Sequence, residues 1–327
     1  MIKALFSASV FALTLVGRGH ADLYIGPDPG EWGLGSNWEF GVVPAVDSGV
    51  EAVINSGATV SYDAETLLDL RVNNGGAVTI SNGSTWTQAT THWTQVNQGT
   101  FTLDDATFRR EVGGYFVGSW PAGFEGGPVT SEINVVNDSE LSLGAGGNLI
   151  LGFTNYTTST LNVEDSSIVV GGELWLGSNT ADDNNQIVEL NIANSSITTQ
   201  GVVGLWVWDY AAVGSTMRIN FSGEPGSYIE VADSIGMRAD ATGADNQATW
   251  ESLWAVGVLT AFGESGLTGA FFEDYFATEG TSAREGAILG EPLVPYTLTL
   301  LVPEPSSALL LVGGAMTLLG LRRRRAA

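Results

Sequence analysis

Cysteine is absent from the 327 residues, so no disulfide braces the fold and no thiolate can bind a metal or attack a substrate. Lysine occurs once, at Lys3, which removes Schiff-base chemistry and the phosphate-binding-loop lysine from the body of the chain. Histidine occurs twice, at His20 and His92. Positive charge is scarce altogether, with 12 Lys and Arg facing 36 Asp and Glu. Half of those cations sit at the two ends, as Lys3, Arg18 and Arg322 to Arg325. The stretch between them carries six arginines against nearly all of the acid, a charge of about −30. Phosphate contacts need the opposite sign, which argues against nucleic-acid binding. Such a charge keeps a protein soluble and attracts divalent cations only diffusely.

What is plentiful is short and apolar. Hydrophobic residues make up 44% of the chain, too much for disorder despite 43 glycines. They fall into an internal repeat whose units start at Ile133, Leu161, Leu190 and Ile219, at intervals of 28 to 29 residues. Each unit opens on apolar-Asn-apolar: Ile133-Asn134-Val135, Leu161-Asn162-Val163, Leu190-Asn191-Ile192 and Ile219-Asn220-Phe221. A second alternation follows at Leu141/Leu143, Ile168/Val170, Ile197/Thr199 and Ile229/Val231. A third comes at Leu149/Leu151, Leu174/Leu176, Leu205/Val207 and Ile235/Met237. Phe101/Leu103, Phe108 and Tyr115/Val117 form an earlier, less regular copy, and Val78/Ile80 begin another.

Period-2 alternation means strand with one face buried. Three short strands per unit predict an all-β fold, one coil of a three-sided parallel β-solenoid per ~28 residues. Parallel stacking at ~4.8 Å puts Ile133, Leu161, Leu190 and Ile219 in one interior column. It puts Asn134, Asn162, Asn191 and Asn220 in an outward ladder of amides. No helical segment is required. The repeats resemble the autotransporter-like repeats of right-handed parallel β-helices, a resemblance that implies the same coiled architecture. The expected organisation is an N-terminal cap with first strands over 22–75, solenoid repeats over 76–245 and a C-terminal cap over 246–301.

Residues 1–21 have the parts of a signal peptide: Lys3, the apolar run Ala4 to Val16, and Gly19-His20-Ala21 before a cut at Asp22. The mature chain then opens with Glu31-Trp32-Gly33-Leu34-Gly35-Ser36-Asn37-Trp38. Trp32 and Trp38 are expected to cover the open end of the solenoid, where strand edges would otherwise face water. The competing reading makes them a sugar-stacking platform.

Parallel β-helices include polysaccharide lyases and hydrolases, whose carboxylates hold calcium beside an arginine or work as an acid pair. The best matching cluster here is Asp104-Asp105 with Arg109 and Arg110, for which a solvated corner is the expected place. Asp182-Asp183-Asn184-Asn185 lacks the spaced oxygens and closing Glu of an EF-hand loop. His92 has no nucleophile-elbow motif to serve. The expectation is a non-catalytic protein with no catalytic residue, no cofactor and no metal ligand. Asn-x-Ser/Thr sequences at Asn82, Asn137, Asn155 and Asn194 are expected to mark turns. Trp206 and Trp208 flank inward Val207, and Trp175 sits one coil earlier. These three form a candidate outward patch for a glycan or a protein partner, unless a loop or the C-terminal cap folds over that face.

The chain closes on three features in order. Pro303-Glu304-Pro305 is a rigid step through which no helix passes. An apolar run to Leu321 carries no charge, and Arg322, Arg323, Arg324 and Arg325 follow. Counted from Val302, the apolar segment approaches the ~20 residues of a single transmembrane helix, and the arginines set its topology with the body outside. This tail, 302–327, resembles the PEP-CTERM sorting signal. The resemblance implies recognition at Pro303-Glu304-Pro305 by an exosortase-type membrane processing enzyme in exopolysaccharide-making Gram-negative bacteria. It also implies transient anchoring in the inner membrane, followed by release to the envelope surface or extracellular matrix. The expected function is a structural envelope or matrix protein, with exopolysaccharide a candidate partner. The alternative is a carbohydrate-binding or polysaccharide-degrading β-helix.

Overall fold

The computed structural model describes residues 21–27, 30–39, 41, 43, 51–54, 57–60, 64–66, 70–73, 75–88, 93–119, 129–153, 156–177, 185–201, 203–207, 214–232, 234–237, 246–280 and 295–301. These form a three-sided solenoid built from three nine-stranded sheets. One sheet, here A, starts at the strand Ala21–Tyr24, and sheet B starts at Gly30–Glu31. Sheet C runs from Ala64–Thr66 to the closing strands near the C-terminal end. Within the turns every neighbouring pair is parallel, and Ile133, Leu161, Leu190 and Ile219 lie in register on successive turns. All four are fully buried, and their column continues to Phe101 on one side and Leu259 on the other.

The amide ladder is formed. Nδ2 of Asn162 donates to Asn134 at 2.8 Å, and Nδ2 of Asn191 donates to Asn162 at 2.9 Å. Asn220 joins at 3.5 Å and passes the ladder to Thr260 at 3.0 Å. A second ladder runs inside the corner between sheets B and C. There the hydroxyl of Ser139 accepts from the Ala106 amide (3.1 Å), Ser166 from Ser139 (3.1 Å), Ser195 from Ser166 (3.0 Å) and Ser227 from Ser195 (3.2 Å). Each serine thereby satisfies a corner N–H that no strand can reach. Asn82, Asp105, Asn137, Asp165 and Asn194 turn the same corner with positive φ, a conformation that short polar side chains tolerate by bonding locally. Asn82, Asn137 and Asn194 are therefore turn residues, their amides bonded to Ser81, Asp104 and Asp165. Asn155 lies outside the described residues.

The corner between sheets C and A is closed mainly by backbone bonds from turn to turn, Gly144 to Arg110 and Gly171 to Leu143, each at 2.7 Å. A Cβ on Gly171 would sit 2.2 Å from the Gly144 carbonyl oxygen, so no other residue fits there.

Three expectations need correction. In the earlier copy Phe116, not the Tyr115/Val117 pair, faces the core: it pairs with Leu149 while Tyr115 and Val117 pair with Asn148 and Ile150. A one-residue shift exchanges the two faces of a strand. Secondly, parallel stacking reaches back through the 22–75 segment. Ala58 pairs with Val78 and Ala52 with Leu70, so much of that segment is solenoid. Thirdly, a helix does occur, Asn246–Ala255. It buries Trp250, Leu253 and Trp254 against the last turns, and its Asn246 side chain accepts the Ile235 amide at 3.1 Å.

Both ends are sealed. Trp32 and Trp38 are 4% and 1% exposed, stacked edge-on at 4.5 Å, with Tyr24 against Trp38 and Trp86 against Trp32. They form the expected cap, and rings so deeply buried offer no platform to a sugar. At the other end Tyr296–Leu300 pairs antiparallel with Tyr228–Val231, and Phe276–Glu279 pairs antiparallel with Tyr296–Leu300. The change of direction stops further parallel growth of sheet C. Phe276 packs on Phe221, Trp254 and Phe272 to close the core. Among the described residues no helix is long and apolar enough to cross a membrane; the candidate segment after Val302 lies outside them.

Candidate contact sites on the outer faces

Trp175 and Trp206 stand side by side on sheet A, paired in register on adjacent turns. Their strand neighbours Leu174, Leu176, Leu205 and Val207 are fully buried, so both indoles point outward. Each is half-buried. Their ring nitrogens converge on one carboxylate: Trp175 Nε1 donates to Oε2 of Glu173 at 2.8 Å and Trp206 Nε1 at 3.2 Å. The amide of Glu173 is itself tied to Oδ1 of Asn148 at 2.8 Å. On the next turn the column holds Gly236, and a Cβ there would meet the Trp206 ring at 2.1 Å. Glycine thus leaves room for the indole to lie flat over the strand. With both N–H groups engaged on Glu173, the half-buried pair offers no ring N–H donor to a ligand. Earlier positions of the same column, Val117 and Ile150, are buried, so that part of the face is covered. Trp208 lies outside the described residues.

The Asp104/Asp105/Arg109/Arg110 cluster does not assemble. Arg109 is exposed, whereas Arg110, one residue on, is 1% exposed and turned into the solenoid. Its guanidinium donates to Gln88 Oε1 at 2.8 and 2.6 Å and to Thr94 Oγ1 at 3.0 Å. Asp104 accepts from Asn137 at 2.7 Å on the corner. Consecutive strand residues face opposite ways, so the two arginines never share a site. Among the described residues no group of three or more His, Asp or Glu is arranged to hold a metal ion. His92 and Asp182 to Asn184 lie outside the described residues, as do Pro303, Glu304, Pro305 and Arg322 to Arg325.

Sequence reasoning missed one groove. The corner from Ser222 to Tyr228 has five intervening residues, where the corresponding corner from Ala193 to Ser196 has two. The extra loop raises one side of an open groove of about 330 Å³ lined by Ser166, Asn194, Ser196, Glu224 and Tyr228. Asn194 Oδ1 fixes the loop by accepting the Glu224 amide at 2.6 Å. The signal was present as the longer spacing from Phe221 to Ile229 than from Ile192 to Ile197.

No family model matches the chain, and neither does any curated protein or solved structure.

Proposed function

We propose that the chain is a non-catalytic structural protein of the bacterial envelope or extracellular matrix, exported by residues 1–21 and delivered by the tail 302–327. Its body is a stiff acidic rod, each turn locked to the next by side-chain amides and hydroxyls. The observation that carries the reading is the hand-over at the C-terminal end. The strand Tyr296–Leu300 is stitched antiparallel into the closed solenoid, and at Leu301 the chain passes directly toward Pro303-Glu304-Pro305. The folded body is thus complete before the tail begins, as a cargo released by cutting there requires. An exosortase-type enzyme is the processing partner in this reading, and a single transmembrane helix ending at Arg322 to Arg325 is the transient anchor. Replacing Pro303-Glu304-Pro305 by three alanines tests it: the mature size and location should change, and an unchanged mature protein contradicts the proposal.

A second reading is carbohydrate binding. It is favoured by the groove of Tyr228, Glu224 and Ser196, which combines an aromatic ring, a carboxylate and a hydroxyl as sugar sites do. The acidic surroundings direct it toward neutral glycans. A glycan array with the Tyr228→Ala variant as control separates this reading from a purely structural role.

A further inference from the structure

Four of the large apolar side chains left in solvent lie within one short stretch of the C-terminal cap. Leu267 is 72% exposed, Phe271 67%, Val256 49% and Phe262 43%. The stretch is firmly built. Ser265 and Thr268 form a reciprocal cap on the turn Gly266–Thr268. Trp254 Nε1 donates to the Ala270 carbonyl at 3.0 Å, and a Cβ on Gly257 would meet Leu267 Cδ1 at 2.6 Å. These side chains are exposed on a hydrogen-bonded stretch of 16 residues, 256–271, and exposed apolar groups concentrated in this way mark a contact site.

The exit of the tail lies beside them. Leu301 donates its amide to the Tyr275 carbonyl at 2.8 Å, and a single turn, Phe272–Asp274, separates Tyr275 from Phe271. The apolar run begins at Ala308, seven residues past Leu301. Seven residues span at most about 25 Å even when extended. The tail therefore leashes this end of the rod close to whatever layer the apolar run enters.

We infer that Leu267 and Phe271, with Val256 and Phe262, form a seat that inserts into the lipid interface while the tail is in the bilayer, holding the rod by its C-terminal cap. The inference rests on the membrane reading of the tail. A seat of this kind adds shallow apolar insertion to a transmembrane anchor. Glu264, Glu273 and Asp274 border it, so it suits zwitterionic rather than anionic headgroups.

Because the chain has no cysteine, single probes can be placed cleanly. Leu267→Cys, Phe271→Cys, Leu34→Cys and Met316→Cys variants of the full chain would carry a polarity-sensitive fluorophore in phosphatidylcholine vesicles containing shallow spin-labelled lipid. The seat predicts blue-shifted, quenched emission at 267, 271 and 316, and water-like emission at 34, in the opposite cap. Quenching at 316 with water-like emission at 267 and 271 overturns the seat and leaves the anchored tail standing. Water-like emission at all four positions overturns the membrane reading, and the seat with it.

Discussion

Nδ2 of Asn162 donates to Oδ1 of Asn134 at 2.8 Å, joining residues 28 apart in sequence on adjacent turns of the rod. The same Asn162 accepts from Asn191 at 2.9 Å, so it is a two-sided link. Asn162→Ala removes both bonds and strands two half-buried amides, and should cost about 1–2 kcal/mol. Asn220→Ala loses a longer bond to Asn191 (3.5 Å) and the bond from Thr260 (3.0 Å), whose hydroxyl keeps the Ile219 carbonyl as a second acceptor, and should cost less. Urea midpoints at constant m value measure both.

The serine ladder acts on buried backbone. Ser139 is 1% exposed, accepts from the Ala106 amide and donates to the Val136 carbonyl at 2.5 Å. Ser139→Ala leaves that amide without its acceptor in a space of one missing atom, which should cost about 1–3 kcal/mol. Ser142→Ala, three residues on and half-buried on the outward face, should be near neutral in the same denaturant series.

Glycines differ in what they are for. Gly171→Ala drives a Cβ onto the Gly144 carbonyl at 2.2 Å and should abolish cooperative folding. Gly146 has a φ of +74° and nothing within 4 Å of an added Cβ, so Gly146→Ala meets only backbone strain of about 1–2 kcal/mol. Thermal melts by circular dichroism distinguish the two.

Tyr275 carries a pH signature. Burial, then the nearby charges of Glu264 and Asp274, hold its hydroxyl above the ordinary tyrosine value of 10.0. A group bound more tightly to its proton in the folded state contributes stability that is present below its unfolded pKa and is lost as pH rises through the folded one. Stability should therefore fall from about pH 10 upward, and the Tyr275→Phe variant should show a shallower fall in melts across that range.

How much of this was legible follows from which signals survive in a linear chain. The column Ile133, Leu161, Leu190, Ile219 and its Asn partners were readable because their spacing is constant at 28 to 29 residues. The copies at Phe101 and Val78 were readable but irregular, and the turn before them hid because the spacing shortens: Val78 to Phe101 is 23 residues and Ala58 to Val78 is 20. Tyr115-Phe116-Val117 is apolar at every position, so alternation could not choose its register. The serine ladder left no apolar signal at all, since its work is done on backbone amides across turns. Arg109 and Arg110 looked like partners because sequence shows adjacency and conceals that a strand sends neighbours to opposite faces. The Trp175/Trp206 pair was legible from alternation, but its shared bond to Glu173 depends on the stacking of two turns.

We propose that this rod is exported and trimmed at both ends. Intact mass and terminal sequencing of the native protein test it most directly. The expected mature chain begins at Asp22 and ends close to Pro303-Glu304-Pro305, without Arg322 to Arg325. A native protein that keeps residues 1–21 and carries its four terminal arginines would contradict it.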